Sequence, residues 1–215
     1  MATLPGSDHA ALMDRVYRGQ RHIYDFTRKY YLFGRDRMIR ELDCRPGMAL
    51  LELGCGTGRN LELICRRWTG VHFHGLDISA EMLKSARKRL GTEGRLALGD
   101  ATAFDPQTLF GRAGFDRVVL SYAVSMIPDW EAAVEAAVAA LAPGGSVHIV
   151  DFGDGGGLPS PLRRVLDAWL ACFHVTARRD LPEVCGRLSD RHGLRLHLSR
   201  GPLGYYRVVR LTRRG

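Results

Sequence analysis

Apolar residues recur along this chain in two alternating rhythms. Short aliphatic runs at 48–53, 71–76, 95–98, 115–121 and 146–152 end at polar or glycine-rich turns. They are too brief for helices, which predicts five strands. Between them, apolar positions fall three and four apart at 61–68, 80–90 and 130–141, which predicts helices. Ser79 is placed to cap the second of these, with Met82 and Leu83 facing inwards, and Pro143-Gly144-Gly145 stops the third. After the glycine-rich loop at 153–157, residues 161–175 and 181–192 read as helices. Residues 194–199 and 205–212 read as two closing strands around Gly201-Pro202. The run Val118-Val119-Leu120 suggests a strand buried on both faces. The alternation implies an α/β fold: a mostly parallel seven-stranded sheet with helices on both faces. Its ligand crevice should lie outside the strand C-terminal ends.

The 215 residues, 46% of them apolar, suffice for one good core. Ahead of the first strand, residues 8–42 carry a helical pattern through Leu12, Val16, Tyr17, Ile23, Phe26 and Tyr30, with Gly19 and Gly34 as separators. The chain is therefore expected to divide into a helical cap over 1–45 and a main domain over 46–215. The cap is dense in aromatics and arginines, among them Tyr17, Arg21, Tyr24, Arg28, Tyr30, Tyr31 and Arg35. An amphipathic packing helix explains the apolar members, and a lid that binds a substrate explains the whole set.

Charge adds a partner class. The formal net charge is +8, and residues 160–215 hold twelve arginines against four acids. Such a face suits phosphate-bearing partners, either nucleic acid or an anionic membrane surface. Five cysteines form no C-x-x-C pair, so reduced thiols are expected and no metal site. The longest apolar stretch, 118–141, is broken by Pro128, Asp129, Glu131 and Glu135, so no membrane span is expected. The N-terminus lacks a signal-peptide layout, which suggests a cytoplasmic protein.

The first strand runs into Glu52-Leu53-Gly54-Cys55-Gly56-Thr57-Gly58-Arg59-Asn60. Glycines let a ligand approach the backbone, and the following helix N-terminus offers free N–H groups. Arg59 stands where the dinucleotide fingerprint wants glycine or alanine, which disfavours an NAD enzyme. With Glu52 ahead of it, the stretch resembles motif I of the class I S-adenosylmethionine (SAM)-dependent methyltransferases, which have a Rossmann-like fold. A merely structural turn is the competing reading. Later strand ends supply the matching positions: Asp77-Ile78, Asp100-Ala101 and Ser121.

That resemblance implies SAM as cofactor, with Gly54, Cys55, Gly56 and Gly58 against its amino-acid part and ribose. Glu52 orders the turn or contacts the ligand ammonium, with Asn60 beside it. Asp77 is expected on the ribose hydroxyls with Ile78 adjacent, Asp100 on the adenine amino group, and Ala101 and Ser121 nearby. The turn after strand four reads Ser121-Tyr122-Ala123-Val124, not Asn-Pro-Pro-Tyr, so a DNA or glutamine-amide methyltransferase is not expected.

Three further blocks carry a narrower resemblance: 22–36, Ser121–Trp130 and His148–Gly153. They resemble BtaB-type enzymes, the N-methyltransferases of bacterial betaine-lipid synthesis, over about 9–174. The resemblance implies methylation of the homoserine amine of diacylglyceryl-homoserine, in up to three rounds, at a membrane surface bearing anionic phospholipid. Asp151, Tyr122 or Tyr30 would orient the amine or relay its proton, although Asp151 is equally readable as structural. A quaternary ammonium product suits aromatic faces, with Tyr17, Tyr24, Tyr30, Tyr31, Tyr122, Trp130 and Phe152 as the candidate wall and Tyr24, Tyr30 and Tyr122 foremost. Arg21, Arg28 or Arg35 would grip the carboxylate, and Arg163, Arg164, Arg178 and Arg179 would meet head groups. A homo-oligomer is compatible with this reading. The alternatives are a small-molecule N- or O-methyltransferase, an RNA methyltransferase or RNA-binding protein using the basic face, and a SAM-fold binding module without catalysis.

Overall fold

The computed structural model describes residues 33–92, 94–172 and 175–214. Elements follow in the order α1 (Arg35–Arg40), β1 (Ala49–Leu53), α2 (Arg59–Arg67), β2 (His72–Asp77), α3 (Ala80–Leu90), β3 (Gly94–Leu98), α4 (Pro106–Phe110) and β4 (Phe115–Ser121). Then come α5 (Trp130–Ala139), β5 (Leu141–Phe152), α6 (Ser160–Cys172), α7 (Leu181–His192), β6 (Arg195–Arg200) and β7 (Tyr206–Thr212). One seven-stranded sheet has the order β3-β2-β1-β4-β5-β7-β6. The first five strands run parallel, whereas β7 is antiparallel to both β5 and β6. Strand order reverses between β1 and β4, which opens the crevice at their C-terminal ends.

The pleat sends alternate β1 residues to opposite faces. Ala49, Leu51 and Leu53 join Val118, Leu120, Val147 and Ile149 under α5 and α7. Leu50 joins Val119, Val150 and Val208 under α1, α2 and α3, where Met38, Leu42, Leu61, Ile64 and Leu83 pack. Covered on both sides, β1 is wholly buried, as an uninterrupted apolar run demands. Ser79 caps α3 by accepting from the Met82 N–H at 3.3 Å, which contributes about 1 kcal/mol.

Two elements depart from expectation. The helix predicted to reach 141 ends at Ala139, and β5 begins at Leu141 rather than 146. The Ala140 carbonyl accepts from the Phe115 N–H at 2.9 Å, and Leu141 pairs with Phe115. Sheet pairing thus claims these residues, and Pro143-Gly144-Gly145 forms an irregularity inside the strand where the register shifts. Helix α4 was not expected. Its signals are present in Asp105 as N-cap, Pro106 at the first turn and Gly111 as C-cap, but five residues carry too little periodicity to read.

Buried imidazoles give the fold an acid limit. Ser146 Oγ lies 2.8 Å from His148 Nε2, and both residues are buried. Burial, then the charges of Arg117 and Arg210, pull His148 down to about 3 from an ordinary 6.5. Burial likewise lowers His74, whose ring packs on Phe110 and Phe115. Both are lower in the folded than in the unfolded chain. Their contribution is therefore fully present above about pH 6.5 and lost as pH falls below it. Each unit of acidification costs up to about 1.4 kcal/mol per buried imidazole. Denaturant midpoints should fall between about pH 7.5 and about pH 5.5, less so in His148→Gln. Equal midpoints at the two values would contradict this.

Candidate active site

The turn after β1 is anchored to the end of β2. The Gly54 and Cys55 N–H groups donate to the Leu76 carbonyl at 2.8 and 3.0 Å. The Asp77 carboxylate accepts from the Gly56 N–H at 2.7 Å through Oδ2 and from the Ser79 N–H at 2.9 Å through Oδ1. One side chain therefore joins the glycine turn to the start of α3. Beneath the turn, Asn60 Nδ2 donates to Glu52 Oε1 at 2.7 Å, and Glu52 is fully buried. The Cys55 thiol is also buried. Burial, then the charges of Asp77 and Glu52, push it well above its ordinary range, so it stays a neutral packing group.

Two glycines in the turn have different physical reasons. A Cβ at Gly58 would come within 3.0 Å of Leu90 and 3.1 Å of Ala86 on α3, so this residue sets close packing. Among the described residues, no atom lies within 4 Å of a Cβ placed at Gly56, so its backbone faces open space there. Both have positive φ, 53° at Gly56 and 74° at Gly58.

The remaining strand ends complete the rim. Half-buried Ile78 follows Asp77. Asp100 accepts from the Thr102 N–H and Oγ1 at 2.9 and 2.8 Å through Oδ1, beside buried Ala101. The Ser121 hydroxyl at the end of β4 is buried and has no hydrogen-bond partner among the described residues. This surface fits SAM: open backbone at Gly56, carboxylates at 52, 77 and 100 for a cationic, hydroxyl-rich ligand, and an unsatisfied hydroxyl at 121. Among the described residues no cluster of His, Cys, Asp or Glu could hold a metal ion.

The loop after β4 is built around Tyr122, which takes φ +54° and is buried. Its hydroxyl donates to the Phe33 carbonyl, and its ring meets Phe152 edge-on at 4.8 Å. Burial, then the charge of Asp151, push the phenol up. The reading of Tyr122 as proton relay is thus corrected here: its hydroxyl holds the segment that leads into α1. Asp151, fully buried, accepts from the Ser125 N–H at 3.0 Å and the Phe152 N–H at 2.8 Å, which pins the same loop. Arg178, expected to meet head groups, instead donates to the Val124 and Ile127 carbonyls, and Arg179 pairs with Asp167 at 2.8 Å.

Trp130 also needs correction. As the first residue of α5 it is buried in the cluster under α5 and α7, where apolar packing outweighs display in a substrate wall. Tyr17, Arg21, Tyr24, Arg28, Tyr30 and Tyr31 lie outside the described residues. Arg35 is 6% exposed, and its Nε donates to Asp36 at 3.3 Å. Its positive charge is felt at Tyr122, which places it near the end of β4. Sequence reading missed Tyr205. Its ring lies 5.5 Å from Phe33 and 5.9 Å from Phe152, so Phe33, Tyr205, Phe152 and Tyr122 form a run of edge-on rings beside the crevice. The Tyr205-Tyr206 pair was the available signal, obscured by the reading of both as strand.

Comparison with known proteins agrees with this geometry. Residues 51–147 match a family described as a methyltransferase domain. Phosphatidylethanolamine N-methyltransferase of Cereibacter sphaeroides is 34% identical over 143 residues, covering 65% of this chain and 68% of that protein. Demethylmenaquinone methyltransferase of Desulfitobacterium hafniense is 27% identical over 154 residues, covering 68% of this chain and 61% of its own length. The fold resembles that of phosphoethanolamine N-methyltransferase 2 of Haemonchus contortus, solved with phosphomonomethylethanolamine and S-adenosylhomocysteine. There the TM-score is 0.72 at 16% identity, covering 96% of this chain and 60% of that one. With the glycine turn, the strand-end carboxylates and these relatives together, the chain belongs to the class I SAM-dependent methyltransferases.

Proposed function

We propose that this methyltransferase acts on the primary amine of a glycerolipid whose head group carries a carboxylate, namely diacylglyceryl-homoserine, in up to three rounds that give the trimethylated betaine lipid. The observation that carries the reading is Arg35. A nearly buried guanidinium beside the β4 end favours an anionic group on the acceptor, and a planar carboxylate suits its fork of donors. Kinship with a phosphatidylethanolamine N-methyltransferase supports a lipid amine as nucleophile. The basic balance of residues 160–215 supports work at an anionic membrane surface, with the enzyme peripheral on the cytoplasmic side. No helix among the described residues is long and apolar enough to cross a membrane.

In this reading SAM supplies a methyl group on a sulfonium centre, and Glu52, Asp77, Asp100, Ser121 and the glycine turn hold it. The chain's own contribution is positioning, which supplies most of the catalysis in an in-line displacement. Asp151 and Arg178 fix the 121–127 loop from below, and Tyr122 fixes the approach to α1 from which Arg35 projects its charge. Tyr205 and exposed Phe33 offer aromatic faces to an amine that becomes quaternary and can no longer donate hydrogen bonds. Each round needs the ammonium to lose its proton before attack, and at the crevice mouth it can pass that proton to water, leaving the neutral amine as nucleophile.

The test is transfer of radiolabelled methyl from SAM to diacylglyceryl-homoserine, phosphatidylethanolamine, phosphoethanolamine and RNA in parallel. Label moving through mono-, di- and trimethyl forms of the homoserine lipid is expected. Arg35→Gln should lower kcat/KM on that lipid about tenfold or more while SAM affinity stays unchanged. Label confined to water-soluble products would replace the reading with a small-molecule methyltransferase. Label in RNA would assign the basic face to nucleic acid.

A further inference from the structure

Exposed apolar side chains concentrate beside the crevice. Loop 153–157, which follows β5, carries two neighbours: the β6–β7 turn and the start of α6. The Gly155 and Gly157 N–H groups donate to the Gly204 and Leu203 carbonyls, both at 3.0 Å. Arg163 of α6 lies over Gly155, its Cγ about as far as an ordinary van der Waals contact from a Cβ placed there. From this junction Leu203 stands out 59% exposed, Leu162 57% and Val165 67%. Leu162 and Val165 are three apart on α6 and so share a face. Because β7 is antiparallel to β5, Tyr206 pairs with Phe152, which puts this turn at the same sheet end as the SAM crevice.

Leu203 adds a second signal. It sits at a turn tip with φ +53°, a backbone conformation that turns ordinarily give to glycine or asparagine. A leucine there is both strained and exposed, and neither packing nor turn geometry asks for it. The surrounding charge is one-sided. Asp154 is occupied by Arg200 and Arg207 at 2.7 and 2.9 Å, and Asp167 by Arg179. Arg163 and Arg164 have no ion-pair partner among the described residues.

We propose that this rim docks on an anionic lipid bilayer, with Leu162, Val165 and Leu203 entering the interfacial region and Arg163 and Arg164 meeting phosphate head groups. The proposal rests on the lipid-acceptor reading for its purpose and replaces Arg178 and Arg179 as the docking residues. Shallow apolar insertion and basic attraction are each weak alone and sufficient together. A second copy of the chain fits less well, since a two-fold contact would set Arg163 and Arg164 against their own equivalents.

The full chain is tested by co-sedimentation with phosphatidylcholine vesicles, with and without phosphatidylglycerol. Binding is expected only with phosphatidylglycerol, weakened by salt. The double variant Leu203→Asn, Val165→Ser should partition about tenfold less. It should also melt no lower than the wild type, because asparagine tolerates this φ and Val165 is already exposed. Wild-type partition in that variant would overturn the proposal. So would a change in oligomeric state between wild type and variant on size exclusion with vesicle binding unchanged. Methylation of a dispersed short-chain homoserine lipid without vesicle binding would sink the docking surface and leave the acceptor reading standing. Vesicle binding that follows the pattern above, with label absent from every lipid, would keep the docking surface and sink the acceptor reading.

Discussion

Asp77→Ala should abolish measurable SAM binding. The carboxylate joins two backbone N–H groups from separate segments, Gly56 in the cofactor turn and Ser79 at the head of α3. Hydrogen bonds to a charged acceptor contribute about 1.5–3 kcal/mol each, and removing the acceptor leaves both donors to find water. The turn would lose its tie to β2, and the cofactor would lose the acceptor oxygens nearest the expected ribose position. Together these should raise the dissociation constant at least about 100-fold, equivalent to ~2.8 kcal/mol. Asp77→Asn retains the shape and one acceptor oxygen, so its affinity should fall between the two. Isothermal titration checks the series, with thermal melting alongside to separate lost affinity from lost fold. Normal affinity in a folded Asp77→Ala would remove Asp77 from the cofactor site.

The second large effect is a contrast between neighbours. Gly56→Ala should damage SAM affinity by about tenfold or more and cost only ~1–2 kcal/mol of stability, the usual penalty for a Cβ at positive φ. Its new methyl group meets no atom of the described residues and stands where the cofactor would approach the backbone. Gly58→Ala should do the reverse. Its methyl group presses on Leu90 and Ala86, so α3 must shift, at about 1–3 kcal/mol beyond the backbone strain. SAM affinity then follows only as far as the turn is displaced. Measuring melting temperature and dissociation constant for both variants checks the pair. The opposite pattern would show that the open space at Gly56 belongs to something other than SAM.

The structure changes the division of labour among the polar residues at the β4 and β5 ends. Tyr122, Asp151 and Arg178 are committed to backbone partners inside the 121–127 loop and its approach to α1. Burial raises the Tyr122 phenol, which favours a fixed donor over a titrating one. In the proposed reading, Arg35 and the Phe33 and Tyr205 rings are the described groups that meet the acceptor. In that reading, the β1, β2 and β3 ends and Ser121 hold the cofactor, and groups beside the β4, β5 and β7 ends meet the acceptor.

Local chemistry by itself determined the strand and helix succession, the Ser79 cap and the glycine turn. Aliphatic runs, three-to-four spacing and Gly-x-Gly-x-Gly act over a few residues, and each lies open in the chain order. It also determined the sequence of strand-end acids at 77 and 100, because a parallel sheet brings consecutive C-terminal ends to one edge. The destinations of long or amphipathic side chains were settled only by the tertiary structure. Trp130 could line a crevice or a core, and the cluster under α5 and α7 took it. Tyr122 could titrate or brace, and a carbonyl 89 residues away made it a brace. Tyr205 became a neighbour of Phe33 only once β7 had paired antiparallel with β5. Such choices turn on which partner arrives across the sheet, and the free energy of burying and bonding that partner is set by residues far away in the chain.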